Sequence, residues 1–250
     1  MRHPVLILGG TTEARQLAER FSVRGDLDVV LSLAGRTRAP AAQPVPVRVG
    51  GFGGAEGLAE HLRENRIALL IDATHPYAAR ISRNAAEAAR MAGTPILALR
   101  RPPWTRVEGD RWREVGTAAE AVLALGEKPR RVLLALGRQE VRVFSAAPHH
   151  FYLVRSVDPI EPPLAVPHAH YLTARGPFGE ADERALLAAE RIDAIVAKNS
   201  GGAATYGKIA AARSLGIEIV LIRRPELPEM PAAETVEQAA AMAVGMLGER

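Results

Sequence analysis

The chain has no cysteine. Disulfides, thiol nucleophiles and iron–sulfur ligation are therefore excluded, and the composition fits a cytoplasmic enzyme. Aromatic residues are only 4% of the 250, too few for the stacking platforms that bind single-stranded nucleic acid. No run of about 18 apolar residues occurs, so no membrane span is expected. The first apolar run, in MRHPVLILGG, is too short for a signal peptide and leads into a glycine turn, which marks a first strand. Lysine is scarce too. It occurs only at 128, 198 and 208 in a chain that otherwise uses arginine. The net charge of +4 is spread without a dense basic run. That disfavours nucleic acid and is compatible with an acidic small-molecule partner.

What is present is the pattern of a well-cored α/β protein, 48% hydrophobic with average charge. Short β-branched runs alternate with helical periodicity. Strands are expected at Val5–Leu8, Val29–Leu33, Val45–Val49, Ala68–Ile71 and Ile96–Leu99. Helices are expected between them over Thr12–Val23, Ala55–Arg66 and Tyr77–Ala92. Such alternation implies a parallel sheet covered on both faces. Arg101-Pro102-Pro103-Trp104 breaks it and reads as a linker. Beyond it, strands are expected at Trp112–Val115, Val132–Leu136, Tyr152–Val154, Tyr171–Thr173, Ala194–Val196 and Ile217–Ile222. A helix is expected over Thr117–Leu125, and Asp158–His168, with four prolines, is loop. A last helix, about Ala232–Leu247, is compatible with packing on either domain. The expected architecture is α/β: two doubly wound, Rossmann-like parallel-sheet domains, 1–100 and 101–250, with the active site in the cleft between them.

One internal echo locates the ligand-binding edges. AARMAGTPILALRRP, ending at Pro102, and AARSLGIEIVLIRRP, ending at Pro225, share a helix end, a glycine cap, a strand and Arg-Arg-Pro. DATHPYA (Asp72–Ala78) and AKNSGGAATY (Ala197–Tyr206) then occupy equivalent places at the carboxyl ends of strands. Open α/β sheets bind ligands there.

The chemistry-bearing residues lie in such loops. Gly9 and Gly10 follow the first strand, and Thr11 or Thr12 can cap the next helix. The N–H groups and dipole of that helix suit a phosphate. The second strand ends without an acid to hold a ribose 2′-hydroxyl. It offers Ser32, Arg36, Thr37 and Arg38 instead, and a charge-assisted Arg–phosphate pair contributes about 1.5–3 kcal/mol. This favours NADP(H) over NAD(H). GGFGG (Gly50–Gly54) suggests close backbone approach to a ligand. In DATHPYA, His75 and Tyr77 could donate protons or orient a ring. AKNSGGAATYGKI contains Gly202, Gly207 and Lys208 at phosphate-loop spacing, but Ile209 stands where a magnesium-binding Ser or Thr is needed. Tyr206 and Lys208 also lack Tyr-x-x-x-Lys spacing. The stretch reads instead as a helix N-terminus carrying Lys198, Asn199, Ser200 and Gly201 toward an anionic substrate.

Taken together, these motifs resemble the precorrin-6A reductase family of cobalamin biosynthesis. The resemblance rests on ILGGTTEAR, LAGRT, VGGFGG, IDATHPYA, RPPW, LALGRQE, VRSVDP, RGPF and AKNSGGAATYGKI, in this order along nearly the whole chain. It implies a two-domain reductase that binds NADPH between its domains. It further implies hydride transfer to a corrinoid macrocycle, giving precorrin-6B. The partner would be a polycarboxylate tetrapyrrole, metal-free or cobalt-bearing, with no metal needed by the protein itself and no nucleic acid or membrane involved.

On that reading, Gly9, Gly10, Thr11 and Thr12 bind the pyrophosphate, and Ser32, Arg36 and Thr37 the 2′-phosphate. Gly51, Phe52 and Gly53, with Asp72, Ala73, Thr74, His75 and Tyr77, flank the ribose and nicotinamide. Arg138, Gln139, Arg155, Arg175, Asn199, Ser200, Gly201 and Tyr206 hold the macrocycle. His75, Tyr77, Lys198 or water supplies the proton. Another NADPH-dependent reductase, a tetrapyrrole carrier without turnover and a nucleotide hydrolase are the competing readings.

Overall fold

The structure is a computed structural model that describes residues 2–35 and 42–248. The chain divides into two compact units, residues 1–102 with 225–250, and residues 103–224. It opens with β1 (His3–Leu8), α1 (Thr12–Ser22), β2 (Leu27–Leu33), β3 (Val47–Val49), α2 (Ala55–Glu64), β4 (Leu69–Asp72), α3 (Ala79–Ala92) and β5 (Ile96–Leu99). The second unit holds β6 (Trp112–Val115), α4 (Ala118–Leu125), β7 (Arg131–Ala135), α5 (Arg138–Val141), β8 (Phe151–Ser156) and β9 (Ala169–Thr173). It continues with α6 (Glu180–Ala189), β10 (Ala194–Lys198), α7 (Gly207–Leu215) and β11 (Glu218–Ile222). The chain closes with β12 (Ala232–Ala233) and α8 (Val236–Gly248), back in the first unit.

Each unit carries one six-stranded sheet, ordered β12-β5-β4-β1-β2-β3 in the first and β6-β11-β10-β7-β8-β9 in the second. Every pairing is parallel. Period-two alternation explains why the strands read as continuous apolar runs. Val5, Ile7, Leu69 and Ile71 pack in a core with α1 and α8, while Leu6, Leu8 and Leu70 pack in another with α2 and α3. The helices follow their own period. Ala14, Leu17, Ala18 and Phe21 form the buried stripe of α1. In the second unit Leu133, Ile195, Ile219 and Leu221 pack with Ile209, Ala211 and Ala212 of α7.

The echoing segments have a topological meaning. Gly93 and Gly216 end α3 and α7 in the same left-handed geometry, each with φ 66° and ψ 23°. The strands that follow, β5 and β11, each pair with an edge strand of their sheet. After β5 the chain leaves through Arg100-Arg101-Pro102 to form β6, the edge strand of the second sheet. After β11 it leaves through Arg223-Arg224-Pro225 to form β12, the edge strand of the first. The edge strand beside β5 is thus supplied by the segment that follows β11, and the edge strand beside β11 by the segment that follows β5.

This corrects two boundaries expected from sequence. The second unit ends at Arg224, not at the C-terminus. The tail pairs with β5, where Ala98 N–H donates to Pro231 O (2.8 Å) and Arg100 N–H to Ala233 O (2.8 Å). Its helix buries Ala239, Ala243 and Leu247 in the core that holds Leu17 and Phe21. That helix starts at Val236 rather than near Ala232, because 232–233 are strand and the Thr235 hydroxyl accepts Gln238 N–H (3.2 Å). Helix α6 and strand β12 had no counterpart in the sequence reading.

Candidate active site

In the first sheet chain order reverses between β1 and β4, so their carboxyl ends open a crevice. Gly9 N–H donates to Ser32 O (2.9 Å), which keeps the turn on the sheet. A Cβ on Gly9 would stand 2.6 Å from Leu31 Cδ1, so the glycine leaves room for that side chain between the turn and β2. Gly10 has φ +112° and open space where a Cβ would be. Thr11 caps α1. Its Oγ1 accepts Ala14 N–H (3.1 Å) and donates to Ala73 O (2.8 Å), tying the loop after β1 to the loop after β4. Thr11, Glu13, Thr74, Pro76, Leu99 and Arg101 line a small recess at this edge. Glu13 and Arg101 are paired in it at 2.5 Å.

The loop after β4 is shaped by its own first residue. Asp72 is buried, and its carboxylate accepts Thr74 N–H (3.2 Å) and Thr74 Oγ1 (2.7 Å). His75 Nδ1 accepts Tyr77 N–H (3.3 Å), and the two half-buried rings lie 5.7 Å apart. Ala73 is buried. Gly9–Thr12 and Asp72–Tyr77 thus follow two adjacent strands, β1 and β4. Ser32 is buried at the end of β2. Arg36 and Thr37 lie outside the described residues.

The GGFGG loop follows β3 at the sheet edge. Arg48 was not singled out from sequence, yet it organises this loop. Its guanidinium donates to Gly50 O (2.8 Å) and Gly51 O (2.9 Å) and lies 3.7 Å from the Phe52 ring centre. His61 packs against the same ring, and burial together with the Arg48 charge holds it below its ordinary pKa.

The second sheet repeats the plan, with its reversal between β7 and β10. Lys198 is the last residue of β10, and its Nζ is ion-paired with Glu140 in the loop and short helix after β7. Glu140 was not among the residues expected at the site. Its signal was available: LALGRQE repeats the strand–glycine–acid order of LILGGTTE. A Cβ on Gly137 would lie 2.5 Å from Glu140 Oε2, so the glycine makes room for the carboxylate. Arg138, Gln139 and Arg175 are exposed, with Arg138 Nη2 4.0 Å from Asp158 Oδ2.

Other residues expected at the substrate have internal partners. Arg155 is buried in an ion pair with Glu183, its guanidinium 4.1 Å from the Phe178 ring centre. Asn199 brackets Trp104: its Oδ1 accepts Trp104 N–H (2.8 Å) and its Nδ2 donates to Trp104 O (3.0 Å). Tyr206 Oη accepts from Arg213 Nη2 (2.6 Å). Ser200 stays half-buried at the strand end, and Gly201 is buried with φ +68°. The near-phosphate-loop is explained as well. A Cβ on Gly207 would lie 2.4 Å from Phe178 O, so this glycine serves close backbone packing. Lys208 is buried and donates to Thr205 O (2.7 Å).

The family model described as precorrin-6x reductase CbiJ/CobK matches residues 4–243. The chain belongs to the precorrin-6x reductase family. A relative from Sinorhizobium sp, named precorrin-6A reductase, is 56% identical over 235 residues, 94% of this chain and 90% of its own. One from Priestia megaterium, named cobalt-precorrin-6A reductase, is 28% identical over 245 residues, 94% of this chain and 95% of its own. A solved structure titled CobK precorrin-6A reductase shares 47% identity and a TM-score of 0.93, covering 98% of this chain and 97% of that one. Membership makes the chain a reductase enzyme of cobalamin biosynthesis. Among the described residues no helix is long and apolar enough to cross a membrane.

Proposed function

We propose that the chain reduces precorrin-6A to precorrin-6B, with NADPH as the hydride donor. The observation that carries this is the turn at the first sheet's reversal. Gly10 leaves its backbone open to a ligand, and Thr11 caps a helix whose first turn presents N–H groups and a positive dipole end. A pyrophosphate fits such a cradle. No acid ends β2, where a ribose 2′-hydroxyl would need one, so the 2′-phosphate is assigned to Ser32, Arg36 and Thr37.

NADPH, when bound, supplies the hydride. The protein's part is mainly positioning. Gly9 to Thr12 hold the pyrophosphate, and Gly51 to Gly53 approach the ribose. Asp72 fixes the turn that presents His75 and Tyr77 beside the nicotinamide. On the substrate side Lys198, Ser200, Arg138, Gln139 and Arg175 meet the carboxylates of the macrocycle. Lys198 is tied to Glu140 and is assigned to orientation. The proton that accompanies the hydride then comes from His75, Tyr77 or water. The metal-free macrocycle is taken as substrate because the relative named for it is twice as identical to this chain as the one named for the cobalt form.

The test is to mix protein, NADPH and precorrin-6A and to follow both the nicotinamide absorbance and the product mass. One NADPH should be consumed per macrocycle, which should gain two hydrogens. Macrocycle binding without nicotinamide loss would make the protein a carrier and end this reading. Equal kcat/KM for NADH and NADPH would remove the 2′-phosphate assignment alone.

A further inference from the structure

Lys208 has no part in the chemistry above, yet it lies directly beneath the loop assigned to the substrate. It is 5% exposed and is the second residue of α7. Its Nζ donates to Thr205 O (2.7 Å) and lies 4.7 Å from the centre of the Trp104 ring. Trp104 grips the same loop elsewhere. Its Nε1 donates to Gly202 O (2.8 Å), and its backbone N–H and C=O are bracketed by the Asn199 side chain. Loop 199–206 is therefore held at Asn199, Gly202 and Thr205. Between those points Gly201 and Gly202 both have positive φ, 68° and 72°, so local sequence supplies little stiffness. The conformation must be imposed from outside.

The groups facing Lys208 are specific. From β8 comes Arg155, and from α6 comes Glu183, whose Oε2 is buried with no hydrogen-bond partner among the described residues. Gly207, packed against Phe178 O, fixes where α7 begins and hence where Lys208 stands. Burial pulls the lysine down to about 7. Arg155 adds to the effect and Glu183 opposes it. A protonated Nζ makes a charge-assisted bond to Thr205 O and a cation–π contact with Trp104, and the neutral amine loses both advantages.

We propose that Lys208 is a positioning residue. With Trp104 it sets the conformation of loop 199–206 from below, and so sets how Lys198 and Ser200 meet the substrate. This rests on the assignment of that loop to the macrocycle. The experiment is steady-state kinetics of wild type and Lys208→Met with NADPH and precorrin-6A from pH 6 to 9. In the wild type, kcat/KM for precorrin-6A should fall as pH rises through about 7. In Lys208→Met that step should vanish. Its KM for precorrin-6A should rise about fivefold, the size of one lost ordinary hydrogen bond, while the KM for NADPH stays within about twofold. An unchanged precorrin-6A KM, an equal rise in both KM values or a retained pH step overturns the proposal.

A second measurement covers a variant that fails to fold. Trp112→Phe leaves Trp104 as the single tryptophan. Its fluorescence should titrate with a midpoint near pH 7, and a flat response from pH 6 to 9 overturns the proposal. Should the wild type leave precorrin-6A untouched, the proposed function fails. The Trp104 titration then still decides whether Lys208 grips the loop.

Discussion

Three lysines leave little room for accident, and the two in this stretch act differently because of what surrounds them. Lys198 is paired at a strand end, whereas Lys208 is enclosed. Enclosure has a thermodynamic signature whose sign can be worked out. The folded protein releases the Lys208 proton near pH 7, while the unfolded chain keeps it to about pH 10.4. Across that window the unfolded state binds more protons, so stability rises with pH. Urea midpoints at pH 7, 8 and 9 should therefore climb in the wild type relative to Lys208→Met, and parallel curves would refute the assignment. The two acids differ in the same way. Glu183 is buried against Arg155, so Glu183→Gln leaves a buried cation without its counter-charge and should cost about 3–5 kcal/mol. Glu140 is about one-third exposed, so Glu140→Gln should cost under about 1 kcal/mol of stability while raising the precorrin-6A KM. Equal melting temperatures for the two variants would contradict this division.

Helix ends decide where the loops begin, and they were the best-read features of the sequence. Thr11, one of the two threonines expected there, caps α1, Thr117 caps α4 where that helix was expected to begin, and Gly93 closes α3. Gly93→Ala and Gly216→Ala should each cost about 1 kcal/mol, and nearly the same amount, because the two caps share one geometry with open space around them. Gly207→Ala should cost more, about 1–3 kcal/mol, since its Cβ meets backbone atoms that cannot swing aside. Thermal melts of the three variants would rank them, and a melting temperature for Gly207→Ala above those of the other two would be contrary to the packing argument. Strands and caps were legible because period, β-branching and glycine act locally. The partners of Arg155, Asn199 and Tyr206 were not. An arginine near a strand end reads alike whether it faces a ligand or a glutamate thirty residues away. Strand β12 was missed for a related reason: two alanines carry no strand signal, and β5 alone makes them a strand.

At the scale of the whole chain, the exchange of edge strands changes what counts as a half of the protein. A cut after residue 100, which the Arg101–Trp104 linker suggests, would strip β12 and α8 from the first unit. It would expose the side of β5 that pairs with 231–233 and the face of α1 that packs with Ala239, Ala243 and Leu247. Burying those side chains contributes several kcal/mol by area, comparable with the whole stability of an ordinary domain. Residues 1–102 alone should therefore be aggregation-prone and bind no NADPH. Residues 1–102 joined to 225–250 by a flexible Gly/Ser linker of about ten residues should restore the sixth strand and its helix. That chimera should melt cooperatively and bind NADPH through the Gly9–Thr12 turn. Calorimetry and nucleotide titration on both polypeptides decide the matter. Full NADPH affinity in residues 1–102 alone would show that the returning segment is ornamental, and the echo of Arg-Arg-Pro would then mark two similar turns rather than two crossings of the chain.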